Sequence, residues 1–275
     1  MSRRWALARR LGQLAVAVLV AFMTLPTLVV IVASFNRSAI LSFPPQGYSL
    51  RWYVNALTYP QFQRAAANSL VVTLASAALA LPIGTAAALV LERSRLPGRA
   101  AWVAVLLSPL IIPGVVSGLG LLILGAALGL LQSRWLLTFG HVVLVLPFVM
   151  RSIWVSVANL DPNLERAAAS LGAGPWRAFW WVTLTLLRPG VFAALLFAVI
   201  ISLNEFVVSL FISTRVTEIL PVAMFTYVVN YTDPTMAAVS TLFVLATLVA
   251  VALADRWLDL HAVFQLGRAH GRGGA

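Results

Sequence analysis

Cysteine and lysine are both absent from this 275-residue chain, so all nineteen basic residues are arginine. Without thiols there is neither a disulfide nor a thiolate metal site. Without lysine there is no Gly-Lys-Ser/Thr phosphate loop, so the chain cannot hydrolyse ATP by that route, and no lysine Schiff base can form. Charge is scarce as well: charged residues make up 10% of the chain, only eight of them acidic, against 61% hydrophobic residues. A soluble domain holds roughly 25% charged and 45–50% apolar residues, so this composition, with mean hydropathy +0.95, is that of an integral membrane protein. The net charge of +11 would suit nucleic acid. The arginines, however, lie between hydrophobic runs and act as topology signals, so no nucleic-acid partner is expected. No catalytic triad, carboxylate pair or metal-ligand cluster appears, which argues against an enzyme.

Six uncharged or nearly uncharged runs organise the chain into a single membrane domain, residues 1–275. Spans are expected at about 11–34, 68–91, 100–125, 135–157, 189–214 and 236–254. The first run is 24 residues long, beyond the roughly 7–15 of a cleaved signal, so it reads as an uncleaved span. Residues 35–67 read as an external loop whose aromatics, Tyr48, Trp52, Tyr53, Tyr59 and Phe62, suit an interfacial belt. The third run, residues 100–131, would extend about 48 Å as one helix, too long for a core of roughly 30 Å. Pro109, Pro113, Gly114 and Gly118 predict that it is broken. His141, in the fourth run, is expected to be a packed or hydrogen-bonded helix residue. Asn204-Glu205 supplies the one carboxylate inside any hydrophobic run. With both termini in the cytoplasm, fourteen arginines fall inside and five outside, as the positive-inside rule requires.

Between the fourth and fifth runs, the segment 158–188 departs from the membrane pattern. Asp161 suits an N-cap and Pro162 the first helical position. Leu164, Ala167, Ala168 and Leu171 recur at i, i+3, i+4 and i+7 and give a short helix an apolar face, with Glu165, Arg166 and Ser170 on the other side. Gly172 sits where a left-handed residue commonly ends a helix, and Gly174-Pro175 opens the next. A short amphipathic helix held between two spans is a docking knob.

This segment resembles the coupling loop of ABC importer permeases, which reads Glu-Ala-Ala, three residues, Gly, nine residues, Ile-x-Leu-Pro. Ala167, Ala168 and Gly172 match, with Val182 and Leu184 at the distal positions. Arg166 stands where the motif has Glu, Glu165 lies one residue earlier, and Thr185 replaces the motif Pro. The strings Phe43-Pro44-Pro45-Gln46-Gly47-Tyr48 and Ser202-Leu203-Asn204-Glu205-Phe206 are similar to those of the second permease of spermidine/putrescine importers. There the second string usually carries two adjacent acids, where this chain has Asn204-Glu205.

The resemblance implies an all-α fold of six transmembrane helices, the type I ABC importer permease fold, in the inner membrane. It implies that Glu165, Arg166, Ala167, Ala168, Leu171 and Gly172 couple to an ATPase, and that Asn204 and Glu205 line a translocation path. The expected partners are a second permease subunit, two ATP-binding-cassette subunits, an extracytoplasmic substrate-binding protein and membrane lipid. No cofactor is expected on this chain; ATP and Mg belong to the partner ATPase. The expected cargo is a polyamine or a related cationic or zwitterionic solute, with the related branches that import opines, phosphonates or other small organic ions left open. A secondary transporter using Glu205 as an ion or proton site, and a membrane assembly factor that transports nothing, are the rival readings.

Overall fold

The structure is a computed structural model that describes residues 3–131 and 133–258. Among them every regular element is helical; the one β contact is an isolated bridge between Asn36 and Tyr48. In chain order the helices are α1 Arg3–Ala33, α2 Arg51–Thr58, α3 Pro60–Arg93, α4 Arg99–Leu107, α5 Gly114–Ala127, α6 Arg134–Ala158, α7 Pro162–Ser170 and α8 Pro175–Ala178. A π-helical segment, Phe179–Thr183, follows, then α9 Leu184–Asn204, α10 Val207–Ile212, α11 Leu220–Asn230 and α12 Thr235–Leu258. Among the described residues four helices are long and apolar enough to cross a membrane, or five if the bent α4–α5 pair counts as one span. Shorter apolar stretches occupy α11 and the Thr235–Val249 part of α12, so the count of six spans is approximate.

The chain forms two compact units. The first comprises the residues up to Gln63 together with Met224–Leu248. The segment read as an external loop with interfacial aromatics, residues 35–67, contains α2 and packs on itself. Asn36 gathers the turn after α1: its Oδ1 accepts from the Ser38 and Gln46 amides, and its Nδ2 donates to Ser42 Oγ at 2.8 Å. Trp52 of α2 is 5% exposed and donates through Nε1 to the Asn36 carbonyl at 2.6 Å. Tyr59, Phe62, Tyr227 and Tyr231 pack edge-on and tilted into one aromatic cluster, with neighbouring centroids 4.5–5.4 Å apart. These aromatics therefore pack inward as much as they mark an interface. Helix α3 begins at Pro60, eight residues before the uncharged run, because its first turns are polar and include Arg64.

The second unit comprises Arg64–Ala223 with the described residues from Val249 to Leu258. In its core α6 packs against α9, where Val145, Val149, Met150 and Ile153 meet Leu187, Ala194 and Ala198 at zero exposure. Gly190 permits the approach: a Cβ there would lie 2.0 Å from Ser156 Oγ. Such close passage of small residues is how helices adhere where lipid removes the hydrophobic drive. The break expected in the third run is present. Residues Arg99–Leu110 and Gly114–Ala127 meet at 96°, around an extended Pro113 at ψ 136°. The fifth run differs from a single helix over 189–214. The helix starts at Pro175, passes through the π-helical segment, and ends at Asn204.

Candidate functional site

At α7 the local chemistry follows the sequence closely. Asp161 accepts from the Asn163 amide at 2.9 Å, and Pro162 takes the first helical position. The α7 carbonyls of Ala168 and Ala169 accept from Ala173 and Gly172, and Gly172 takes φ +86°. That conformation favours glycine.

The orientation of α7 is the part that periodicity does not reveal. Its apolar face points away from its own chain: Leu164 is 45% exposed and Leu171 89%. Ala167 is exposed too, whereas Glu165 and Ala168 turn partly inward. The carboxylate of Glu165 sets this rotation. Arg93, at the end of α3, donates Nη2 to Oε1 at 2.8 Å and Nη1 to Oε2 at 3.1 Å. Thr183, in the π-helical segment, donates its hydroxyl to the same Oε1. Partial burial raises the Glu165 pKa, but the Thr183 and Arg93 hydrogen bonds and the arginine charge outweigh it, holding the carboxyl below its ordinary value. Arg166, at the motif's Glu position, is exposed and donates only within α7, to Asn163 Oδ1 at 3.3 Å.

A second ionic cluster lies where α3, α4 and α6 meet. Glu92 Oε2 accepts from Arg99 at 2.8 Å and from Trp154 Nε1 at 2.6 Å, and the Arg99 guanidinium stands 5.5 Å from the Trp154 ring. Beside α7, Trp176 stacks on Phe179 while Trp180 meets both rings edge-on, and Trp176 and Trp181 remain 73% and 80% exposed. The segment therefore presents bare apolar surface on a base fixed by hydrogen bonds. Sequence reasoning identified Glu165 but neither Arg93 nor Thr183, since nothing local pairs residues 72 positions apart.

Asn204 and Glu205 stand at a break instead of inside a span. Glu205 is extended, at φ −69° and ψ 119°, and α10 begins two residues later. The Glu205 carboxylate accepts from the Val208 amide at 2.7 Å and so caps the orphan amides at the start of α10. Asn204 is exposed and donates to the Ile200 carbonyl at 2.8 Å. The two residues are neighbours at the break, but no hydrogen bond between their side chains is seen. No group of three or more potential metal ligands occurs among the described residues.

No family model matches the chain. It is 30% identical over 231 residues to the spermidine/putrescine transport system permease protein PotC of Escherichia coli K12, covering 84% of this chain and 87% of that one. It is 32% identical over 228 residues to the putrescine transport system permease protein PotI of the same strain, covering 80% and 81%. A solved bacterial ABC transporter that imports the polysaccharide alginate superposes with a TM-score of 0.70 at 16% identity, over 94% of this chain and 98% of that one. The first two relate the sequence; the third relates the fold. Together they favour an ABC importer permease over a secondary transporter built on Glu205. The chain belongs to the ABC importer permease family.

Proposed function

We propose that this permease subunit imports a small organic cation, a polyamine such as spermidine or putrescine or a related cationic or zwitterionic solute. In this reading α7 with the residues up to Gly174 docks in a cleft of an ATP-binding-cassette subunit in the cytoplasm. The observation that carries the reading is the outward apolar face of α7: Leu164 and Leu171 are bare while Glu165 anchors the helix from behind. Outside a membrane such a face calls for a protein partner. Ala167, Ala168 and the left-handed Gly172 keep its surface low enough for a close fit. ATP and Mg are bound by that partner; this chain has no lysine with which to build a phosphate loop.

A second permease subunit completes the path, two ATPase subunits drive it, and an extracytoplasmic binding protein delivers the cargo. Both termini are cytoplasmic in this arrangement, which puts Gly98 and α7 on the arginine-rich side. Asn204 and Glu205 lie on the translocation path. A helix break inside a membrane is tolerated where it faces protein or a water-filled passage, and Glu205 adds negative charge there. The relatives' own cargo, named as spermidine and putrescine, supports a cationic substrate.

Co-purification tests the docking. A tagged chain, expressed with the other subunits of its system, should retain an ATP-hydrolysing partner, and Gly172→Asp should release it while the chain stays in the membrane. Recovery of the same ATPase by both versions would count against α7 as the joint.

A further inference from the structure

A buried polar cluster brackets the break in the fifth span. His141 of α6 is 1% exposed, and both of its ring nitrogens are engaged. Nδ1 lies 2.7 Å from Ser202 Oγ, at the end of α9, and Nε2 lies 2.9 Å from Ser209 Oγ, in α10. Ser202 Oγ also hydrogen-bonds with Thr73 at 3.0 Å and with Ser76 at 3.3 Å, both on α3. All five side chains are essentially inaccessible. A neutral imidazole has one donor and one acceptor, and a serine hydroxyl can serve as either, so each contact can be satisfied at once.

The spacing makes this more than packing. Ser202 and Ser209 are seven residues apart, about 10.5 Å of rise in an unbroken helix. One five-membered ring with contacts of 2.7 and 2.9 Å does not reach both hydroxyls over that distance. It reaches them because the chain turns at Glu205 and Phe206. Straightening α9 into α10 would strip the buried imidazole of a partner, which burial makes costly. The Glu205 carboxylate fixes the same turn from within through the Val208 amide.

From this geometry we infer that His141 is a positioning residue for transport. It struts the α9–α10 break and thereby sets where Asn204 and Glu205 stand. The inference rests on the reading of those two residues as part of the path. The experiment therefore separates the strut from the path.

The chain has no cysteine, so Asn204→Cys gives it a single thiol, and the maleimide labelling rate of this chain, resolved from the other subunits after reaction of the assembled transporter, reports the geometry of the break. His141→Phe keeps a ring and removes both hydrogen bonds. It should leave ATPase attachment and ATP hydrolysis intact and change thiol labelling about tenfold. With Asn204 in place, it should also lower uptake of labelled spermidine about tenfold, the scale of two lost buried hydrogen bonds. Ser202→Ala with Ser209→Ala should reproduce both effects, and adding His141→Phe to that pair should change little more. Unchanged labelling in assembled His141→Phe overturns the strut. Shifted labelling with normal uptake upholds the strut and removes the break from the path. Should the ring swap fail to assemble, Ser209→Ala decides: it removes only a hydroxyl, and unchanged labelling there overturns the proposal equally.

Discussion

The guanidinium of Arg93 holds both carboxylate oxygens of Glu165, at 2.8 and 3.1 Å, across 72 residues of sequence. Together with the Thr183 hydroxyl, this joins α7 to the end of α3 and to the helix that becomes α9. Both side chains of the ion pair are partly exposed, at 40% and 32%, and such pairs contribute only about 0.2–1 kcal/mol to stability. The pair therefore orients α7 more than it stabilises the fold. Glu165→Gln and Arg93→Gln should leave thermal stability almost unchanged and reduce substrate moved per ATP several-fold. Exchanging the two charges, Glu165→Arg with Arg93→Glu, should recover part of the loss. Full coupling in both single variants would show that α7 needs no such tie.

The same pair sets a pH expectation. The folded Glu165 carboxyl titrates below its ordinary 4.5, so its contribution is present above that value and is lost as pH falls through the lowered one. The coupling ratio should therefore be flat, as far as this group decides it, from about pH 8 down to about pH 5. Glu165→Gln should have the same shape at a lower level. A drop near neutrality that Glu165→Gln abolishes would contradict this assignment.

Gly190 tests the α6–α9 seam independently of coupling. A Cβ there would come within 2.6 Å of Ser156 Cβ as well as meeting Oγ. Gly190→Val should cost about 1–3 kcal/mol through overpacking, read as lower thermal stability in detergent and reduced yield. Gly172→Ala is the contrast. Nothing lies within 4 Å of its Cβ, and only the φ of +86° resists it. That substitution should cost stability about 1 kcal/mol or less and lower uptake more than it lowers Tm.

Glu205→Gln preserves an acceptor for the Val208 amide, so α10 should remain capped and the complex assembled. Loss of the charge should lower uptake of a cationic solute while ATP hydrolysis persists. Uptake at the parental rate would make the carboxylate a cap alone and remove the chemical support for a cationic cargo.

Topology follows from the arginine distribution. A reporter fused after Gly98, between α3 and α4, should sit in the cytoplasm, and one fused after Gly47 should sit outside. A cytoplasmic Gly47 with an external Gly98 would turn α7 away from ATP and contradict the docking.

Much of this was legible in the chain because the signals are local. The break at Pro113, the Asp161-Pro162 start and the Gly172 stop act within a turn of where they stand, and each appears in its place. Helices α2 and α11 escaped because at 8 and 11 residues they are too short to register as spans. The start of α3 escaped because its charged first turns interrupt the apolar run. The break at Glu205 has neither proline nor glycine to announce it; it is held by hydroxyls around His141 and by a carboxylate folded back on the next turn. The rotation of α7 depends on Arg93 and Thr183, and no periodicity within nine residues could report it.

The most direct measurement of the central claim is uptake into proteoliposomes containing the complex purified through this chain. The binding protein and labelled spermidine are supplied outside and ATP inside. Accumulation should require both ATP and the binding protein, persist when proton and sodium gradients are collapsed, and vanish with Gly172→Asp. Accumulation that proceeds without ATP and follows an ion gradient would contradict the account.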